Sequence, residues 1–337
     1  MKKIISLIIT LVIIAGVFGA CAAPEKVTPG SAESETAPQA EKTTVNIAVL
    51  KGPTGMGCAQ LLKNNDEGTA LNDYNFTVAS APDQITGKLI SGELDIAALP
   101  TNAAATLYNK TNGGVKLIAL NTLGVLYILE KGSSVTSIND LKGKTVLASG
   151  KGSTAEYVLN FILEKNGIVP GKDVTIDYAA EHTEAASQAL AGKYDIVMLP
   201  EPFVTSVMTQ NADFKVKIDL TEEWRKLGFG ELTMGAIAVR TAFLNEHKTA
   251  VDDFLKEYAE SVKFTNDNIA EAAALIEQYD IAQAAVAQKA IPNCNIIYAD
   301  GAEMENNTES FLKIIAEADI SSVGGTLPAD DFYYSAQ

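Results

Sequence analysis

Gly92-Glu93-Leu94-Asp95-Ile96-Ala97-Ala98-Leu99-Pro100 returns as Gly192-Lys193-Tyr194-Asp195-Ile196-Val197-Met198-Leu199-Pro200. Lys51-Gly52-Pro53-Thr54 returns in the same register as Lys151-Gly152-Ser153-Thr154. Two separate motifs share one offset of 100 residues, which chance likeness of short apolar runs explains poorly. Each copy of the longer motif reads as a glycine that stops a helix, a buried strand, and a proline that ends the strand and opens the next helix. Each copy of the shorter one reads as a glycine loop after a strand. The repeat implies two lobes of one α/β design, and a cleft between lobes is where a small ligand binds.

Working outward, 45–50, 74–79, 95–99, 115–121 and 126–130 predict strands, with helices near Thr54 and at 82–91. The pattern restarts with strands at 145–149, 174–178, 195–199 and 214–220 and helices at 153–166, 184–191 and 201–210. Strands alternating with helices imply two mostly parallel sheets with helices on both faces. A strand at 235–240 breaks the order, and from Thr241 the chain reads as almost all helical, returning to pack on the first lobe. The expected lobes are 44–130 plus 235–337 and 131–234, joined by crossover hinges near 123–132 and 230–236.

The N-terminus reads as a targeting segment. Lys2 and Lys3 precede an apolar stretch at 4–18, shorter than the roughly 20 residues that span a bilayer. It ends Phe18-Gly19-Ala20-Cys21, similar to a bacterial lipoprotein signal (1–20) in which Cys21 becomes the lipidated first residue. Residues 21–43 lack aromatic residues and core-forming periodicity, as in a flexible tether. Lipid, tether and body together describe a protein held at the outer, extracellular or periplasmic, face of the cell membrane. The net charge of -16 becomes -18 without Lys2 and Lys3, which argues against nucleic acid as a partner. Cys58 and Cys294 remain in the body, and two free buried thiols are expected.

The chemistry concentrates in the loops after the first strands. Helix N-termini present unpaired N–H groups and partial positive charge, and Gly52 and Gly152 let the backbone approach a ligand. With Pro53, Thr54, Gly55, Lys151, Ser153 and Thr154 they suit a carboxylate, sulfonate or phosphate. Thr54 and Ser153 have an alternative role as helix caps, and Lys51 and Lys151 as solvated charges. Thr101, Asn102, Glu201 and Phe203 follow the repeated Leu-Pro pairs and are expected to line the cleft, as is Asn121. Glu201 either accepts a hydrogen bond from a ligand amine or ring N–H or favours its own helix. Met56 and Met234 offer polarizable walls or serve the core. His182 and His247 are the only histidines and lie far apart, so no metal site, catalytic constellation or cofactor is expected. The lysine spacing does not match a P-loop.

These stretches, with Asn139-Asp140-Leu141-Lys142-Gly143-Lys144 and Leu199-Pro200-Glu201-Pro202, resemble the extracellular solute-binding lipoproteins of ABC importers. The resemblance is to the nitrate/sulfonate/taurine and thiamine-pyrimidine-precursor group, and it covers nearly the whole body. It implies a two-lobe type II periplasmic-binding fold, monomeric, that closes on one small anionic or heteroaromatic solute and docks on a membrane permease. Two alternatives of other classes are an enzyme on the same fold, such as the menaquinone-pathway lyases, and a ligand-sensing surface lipoprotein.

Overall fold

The computed structural model describes residues 42–336; the signal, Cys21 and most of the tether fall outside the described residues. In chain order the first part runs β1 (Thr44–Leu50), α1 (Pro53–Met56), α2 (Ala59–Asp66), β2 (Asp73–Ala79), α3 (Asp83–Ser91), β3 (Ile96–Pro100), α4 (Thr101–Lys110) and β4 (Val115–Thr122). The second runs β5 (Leu126–Lys131), β6 (Thr145–Ser149), α5 (Thr154–Lys165), β7 (Thr175–Ala179), α6 (His182–Leu190), β8 (Ile196–Pro200), α7 (Phe203–Gln210), β9 (Phe214–Asp219) and α8 (Leu220–Lys226). The last runs β10 (Gly235–Arg240), α9 (Thr241–Glu246), α10 (Lys248–Asp267), α11 (Ile269–Gln278), α12 (Ala284–Ala290), β11 (Ile296–Ala299) and α13 (Gly301–Ala318). Two short 3-10 turns, Ile320–Val323 and Asp330–Phe332, follow.

The strands form two sheets, β11-β4-β10-β3-β1-β2 and β7-β6-β8-β5-β9. Four of six strands in the first (β1 to β4) and four of five in the second (β6 to β9) share one direction. The opposed strands include the two that arrive by crossover, β5 and β10. β10 enters between β3 and β4 and runs antiparallel to both, and β5 does the same between β8 and β9. A chain stepping straight from one sheet into the next has no crossover helix to reverse it, so its strand runs against the others.

Two sequence expectations change here. Residues 126–130, expected in the first lobe, lie in the second sheet as β5, so the crossing is the short stretch at 123–125. The helical C-terminal run also contains a strand, β11, which borders β4. Its helices divide: α10 and α11 pack on α2, whereas α13 packs on both β4 and the second lobe's α5. Trp224 of α8 is fully buried between Phe161 of α5 (5.1 Å) and Phe311 of α13 (5.8 Å). A side chain of that size removed from water contributes about 3 kcal/mol, enough to hold α13 against the second lobe. Cys58 and Cys294 are free and fully buried, and burial pushes the Cys58 thiol up to about 12.

The two copies of the long motif use their aspartates differently. Buried Asp95 accepts from the Asn46 backbone and side-chain nitrogens (3.0 Å each) and pairs with Arg240 at 2.8 Å, so it ties β1, β3 and β10 together. Asp195 is exposed. Removing one partner of a largely buried pair leaves an uncompensated charge. Asp95→Ala is therefore expected to cost about 3 kcal/mol of stability, and Asp195→Ala less than about 0.5 kcal/mol, in urea unfolding.

Candidate functional site

The carboxyl ends of β1, β3, β6, β7 and β8 carry the glycine loops and helix starts that the repeat pointed to. Helix α5 starts on Ser153, whose hydroxyl accepts from Ala155 N and donates to Gly150 O at 2.5 Å. Gly152 N donates to the Glu156 carboxylate, and Gly150 and Gly152 have φ of 79° and 74°, left-handed values that favour glycine. Ser153 is thus the helix cap, the alternative role that its sequence allowed. Lys151 is exposed, its amine 5.7 Å from the Tyr178 ring centre. Lys51 is a solvated ion pair with Asp280.

In the first lobe, Pro53 opens the single turn of α1 after Gly52 (φ 104°). Gly55 is held to glycine by space: a Cβ there would stand 2.3 Å from Leu50 O. The half-buried Thr54 offers its carbonyl to the buried Asn121 amide at 3.3 Å. Asn121 Oδ1 and Thr101 Oγ1 are buried without a protein partner. Thr101 N is held by Met234 O at 3.3 Å, which ties the start of α4 to the second crossover. Of its two possible roles, Met56 takes the core one. It is fully buried in the first lobe's core beside Cys58 and Ala59, because the one-turn α1 rotates its side chain under the sheet, and it forms no cleft wall. Met234 is half-buried against the other core cluster.

The lobes meet directly. Thr154 Oγ1 donates to Asn102 Oδ1 at 2.8 Å with both residues buried. A Cβ on Gly52 would stand 3.7 Å from Pro202 Cδ. Tyr127 donates to Asn293 O at 3.0 Å beside the first crossover. A cavity of about 470 Å³ opens beside the Asn102–Thr154 contact, with Thr106, Gly152, Tyr157 and Ser322 in its wall.

Glu201 is buried, and its oxygens accept from Thr205 N (3.1 Å) and Thr205 Oγ1 (2.9 Å). Its carboxylate therefore serves α7. Burial dominates over these bonds and raises its pKa from 4.5 to about 6.

One pair was missed in the sequence. Ser149 Oγ, the last residue of β6, lies 2.6 Å from His182 Nδ1, the first residue of α6, and the imidazole packs on Phe203 at 5.4 Å. Burial holds the His182 pKa below its ordinary value, against the raising influence of Glu181. The available signal was positional: β6 and β7 are parallel neighbours, so residues ending one and following the other converge. Among the described residues no lysine or arginine is buried, so the buried donors here are backbone N–H groups, hydroxyls, amides and this imidazole.

The chain as a whole is similar to known proteins. A family described as "ABC transporter, phosphonate, periplasmic substrate-binding protein" matches residues 72–290. Among solved structures, an ABC transporter from Parabacteroides distasonis is 26% identical and covers 88% of this chain and 100% of its own, with a TM-score of 0.74. The periplasmic aliphatic sulphonate binding protein of Escherichia coli is 16% identical, covers 88% and 94%, and has a TM-score of 0.71. The alkanesulfonate-binding protein of Xanthomonas axonopodis pv. citri, bound to MOPS, is 16% identical, covers 86% and 96%, and has a TM-score of 0.65. No curated protein matches significantly.

The Glu201 environment gives a signed expectation. A raised carboxyl pKa means the folded state holds the proton more tightly, so its stabilising effect is complete below pH 4.5 and is lost as pH rises through about 6. Glu201→Gln is expected to remove a pH-dependent loss of about 2 kcal/mol over that window, read from urea midpoints of both proteins. Parallel pH profiles would refute it.

Proposed function

Because this chain belongs to the phosphonate periplasmic substrate-binding protein family of ABC transporters, we propose that its interlobe cleft captures a small organic anion of phosphonate or sulfonate type. It is a solute-binding protein of an importer rather than an enzyme. The observation that carries the anion reading is the meeting of the α5 start, the α4 start and the Ser149–His182 pair where no lysine or arginine is buried. Helix N-termini supply N–H groups and partial positive charge to an anion without a buried cation. His182 would add a donor that becomes charged when an anion sits against it, since an opposite charge raises the pKa of an imidazole. Candidate contacts are Gly52, Pro53, Thr54 and Gly55 from one side, and Gly150, Lys151, Gly152 and Ser153 from the other. Thr101 adds a buried hydroxyl without a protein partner, free to donate to the anion.

The same reading extends to the membrane. Phe18-Gly19-Ala20-Cys21 supports a lipid on Cys21, with 22–43 as tether, holding the body near its permease. Cys21→Ser is expected to move the protein from the membrane pellet to the soluble fraction; retention in the pellet would refute the anchor.

Thermal unfolding with alkylphosphonates, alkanesulfonates, aromatic carboxylates and pyrimidines tests the cargo. A bound solute at one hundred times Kd adds roughly 2.7 kcal/mol to the folded state. Methanesulfonate stays ionised throughout the useful range, so its pH dependence reports the protein alone. With His182 protonating on binding, affinity for it rises as pH falls, and His182→Gln flattens that profile. Stabilisation by pyrimidines alone would overturn the anion reading.

A further inference from the structure

The chain's last segment joins the two lobes at a point that neither the repeat nor the family match covers, since the match ends at residue 290. After α13, residues 319–326 run along α4. Asn109 Nδ2 donates to Val323 O (2.7 Å) and Thr326 O (2.6 Å). Thr106 Oγ1 and Asn102 Nδ2 both donate to Ser322 O, at 3.2 and 3.3 Å. The approach is close enough that a Cβ on Gly324 (φ 86°) would meet the Thr106 Cα at 3.0 Å. Further on, Asp331 pairs with Lys116 at 2.7 Å and Tyr334 N donates to Leu117 O at 2.9 Å, so the segment is fixed to the first lobe at both ends.

It also reaches the second lobe. Tyr157 of α5 donates to Asp319 Oδ2 at 3.3 Å, while Asp319 Oδ1 caps the turn through Ser321 N and Oγ. Asn102 is the junction. An amide offers donors on one side and an acceptor on the other. With Nδ2 turned to the Ser322 carbonyl, Oδ1 must face away from the segment, and there it receives the Thr154 hydroxyl across the cleft. If the amide were reversed, two oxygens would face each other at Ser322.

We propose that residues 319–326 act as a closing latch: they orient Asn102 so that it holds Thr154, and Tyr157–Asp319 adds a second tie, favouring the closed arrangement of the lobes. Asn102 and Thr154 are then positioning residues, their polar groups committed to each other, and solute affinity depends on a segment more than 200 residues away in sequence. The inference rests on the two-lobe binding reading but not on which solute is bound.

The test is small-angle X-ray scattering of the solute-free protein, with dissociation kinetics of whichever panel solute stabilises it. Asn102→Ala and the near-isosteric Thr154→Val are expected to enlarge the solute-free radius of gyration and to speed solute release about five- to thirtyfold, the worth of one or two kcal/mol. Tyr157→Phe should do the same more weakly. Thr154→Val keeps the test open if Asn102→Ala fails to fold. Scattering curves identical among solute-free wild type and the variants would overturn the latch, even with weakened binding, because that pattern belongs to a direct ligand contact. A shifted curve with no solute bound from the panel would sustain the latch and sink the anion reading instead.

Discussion

Each sheet of this protein holds in its interior the strand by which the chain enters that lobe, and the rest of the structure depends on those two strands. β10 sits between β3 and β4, and β5 between β8 and β9, so neither sheet is continuous without a crossover strand in its interior. Unpaired backbone groups at the centre of a covered sheet would each cost about 1–3 kcal/mol. Asp95 reinforces the arrangement where β10 ends, taking Arg240 in an ion pair while it holds Asn46 of β1. The two connections between the sheets are short, residues 123–125 and 227–234, an arrangement suited to a hinge.

Given those sheets, the cleft's chemistry follows from direction. Parallel strands end on one side, and all of them except β4 are followed by a helix whose first N–H groups lack intrahelical partners. Loops from both lobes bring such starts together, and glycine at 52, 150 and 152 allows the turns that place them. In a chain with a net charge of -16, an anion must find local rather than global attraction. Under the proposed function, neutral donors and helix ends would provide it without the desolvation cost of a buried lysine. His182 differs from them, since burial lowers its pKa and an opposing negative charge would raise it.

Much of this was legible because the repeat preserves backbone function. Gly92 and Gly192 both take left-handed conformations after a helix, and Pro100 and Pro200 both end buried strands. Side-chain roles were less legible, because a shared backbone does not force shared partners. Asp95 is buried and bonded, whereas Asp195 stands in solvent. Met56 reads as a candidate wall in one dimension, but one turn of helix sends it into the core. Glu201 had two roles consistent with its position, and only the placement of Thr205 decides its partner. The Ser149–His182 pair needed the β6–β7 register, which no local pattern encodes.

The C-terminal run shows the same limit at larger scale. Its helical periodicity announces buried faces without naming what they bury against. α10 and α11 find the first lobe, while α13 lays Phe311 against Trp224 of the second. A helix fixed to one lobe by the strand before it and the turn after it, yet packed on the other, must either slide during opening or travel with its partner. Apolar contacts such as Phe311–Trp224 are non-directional and tolerate small displacements, whereas hydrogen bonds such as Asn102–Thr154 weaken steeply with angle and distance. The aromatic contact therefore suits a pivot that persists through motion, and the polar contacts suit a catch that is either made or broken.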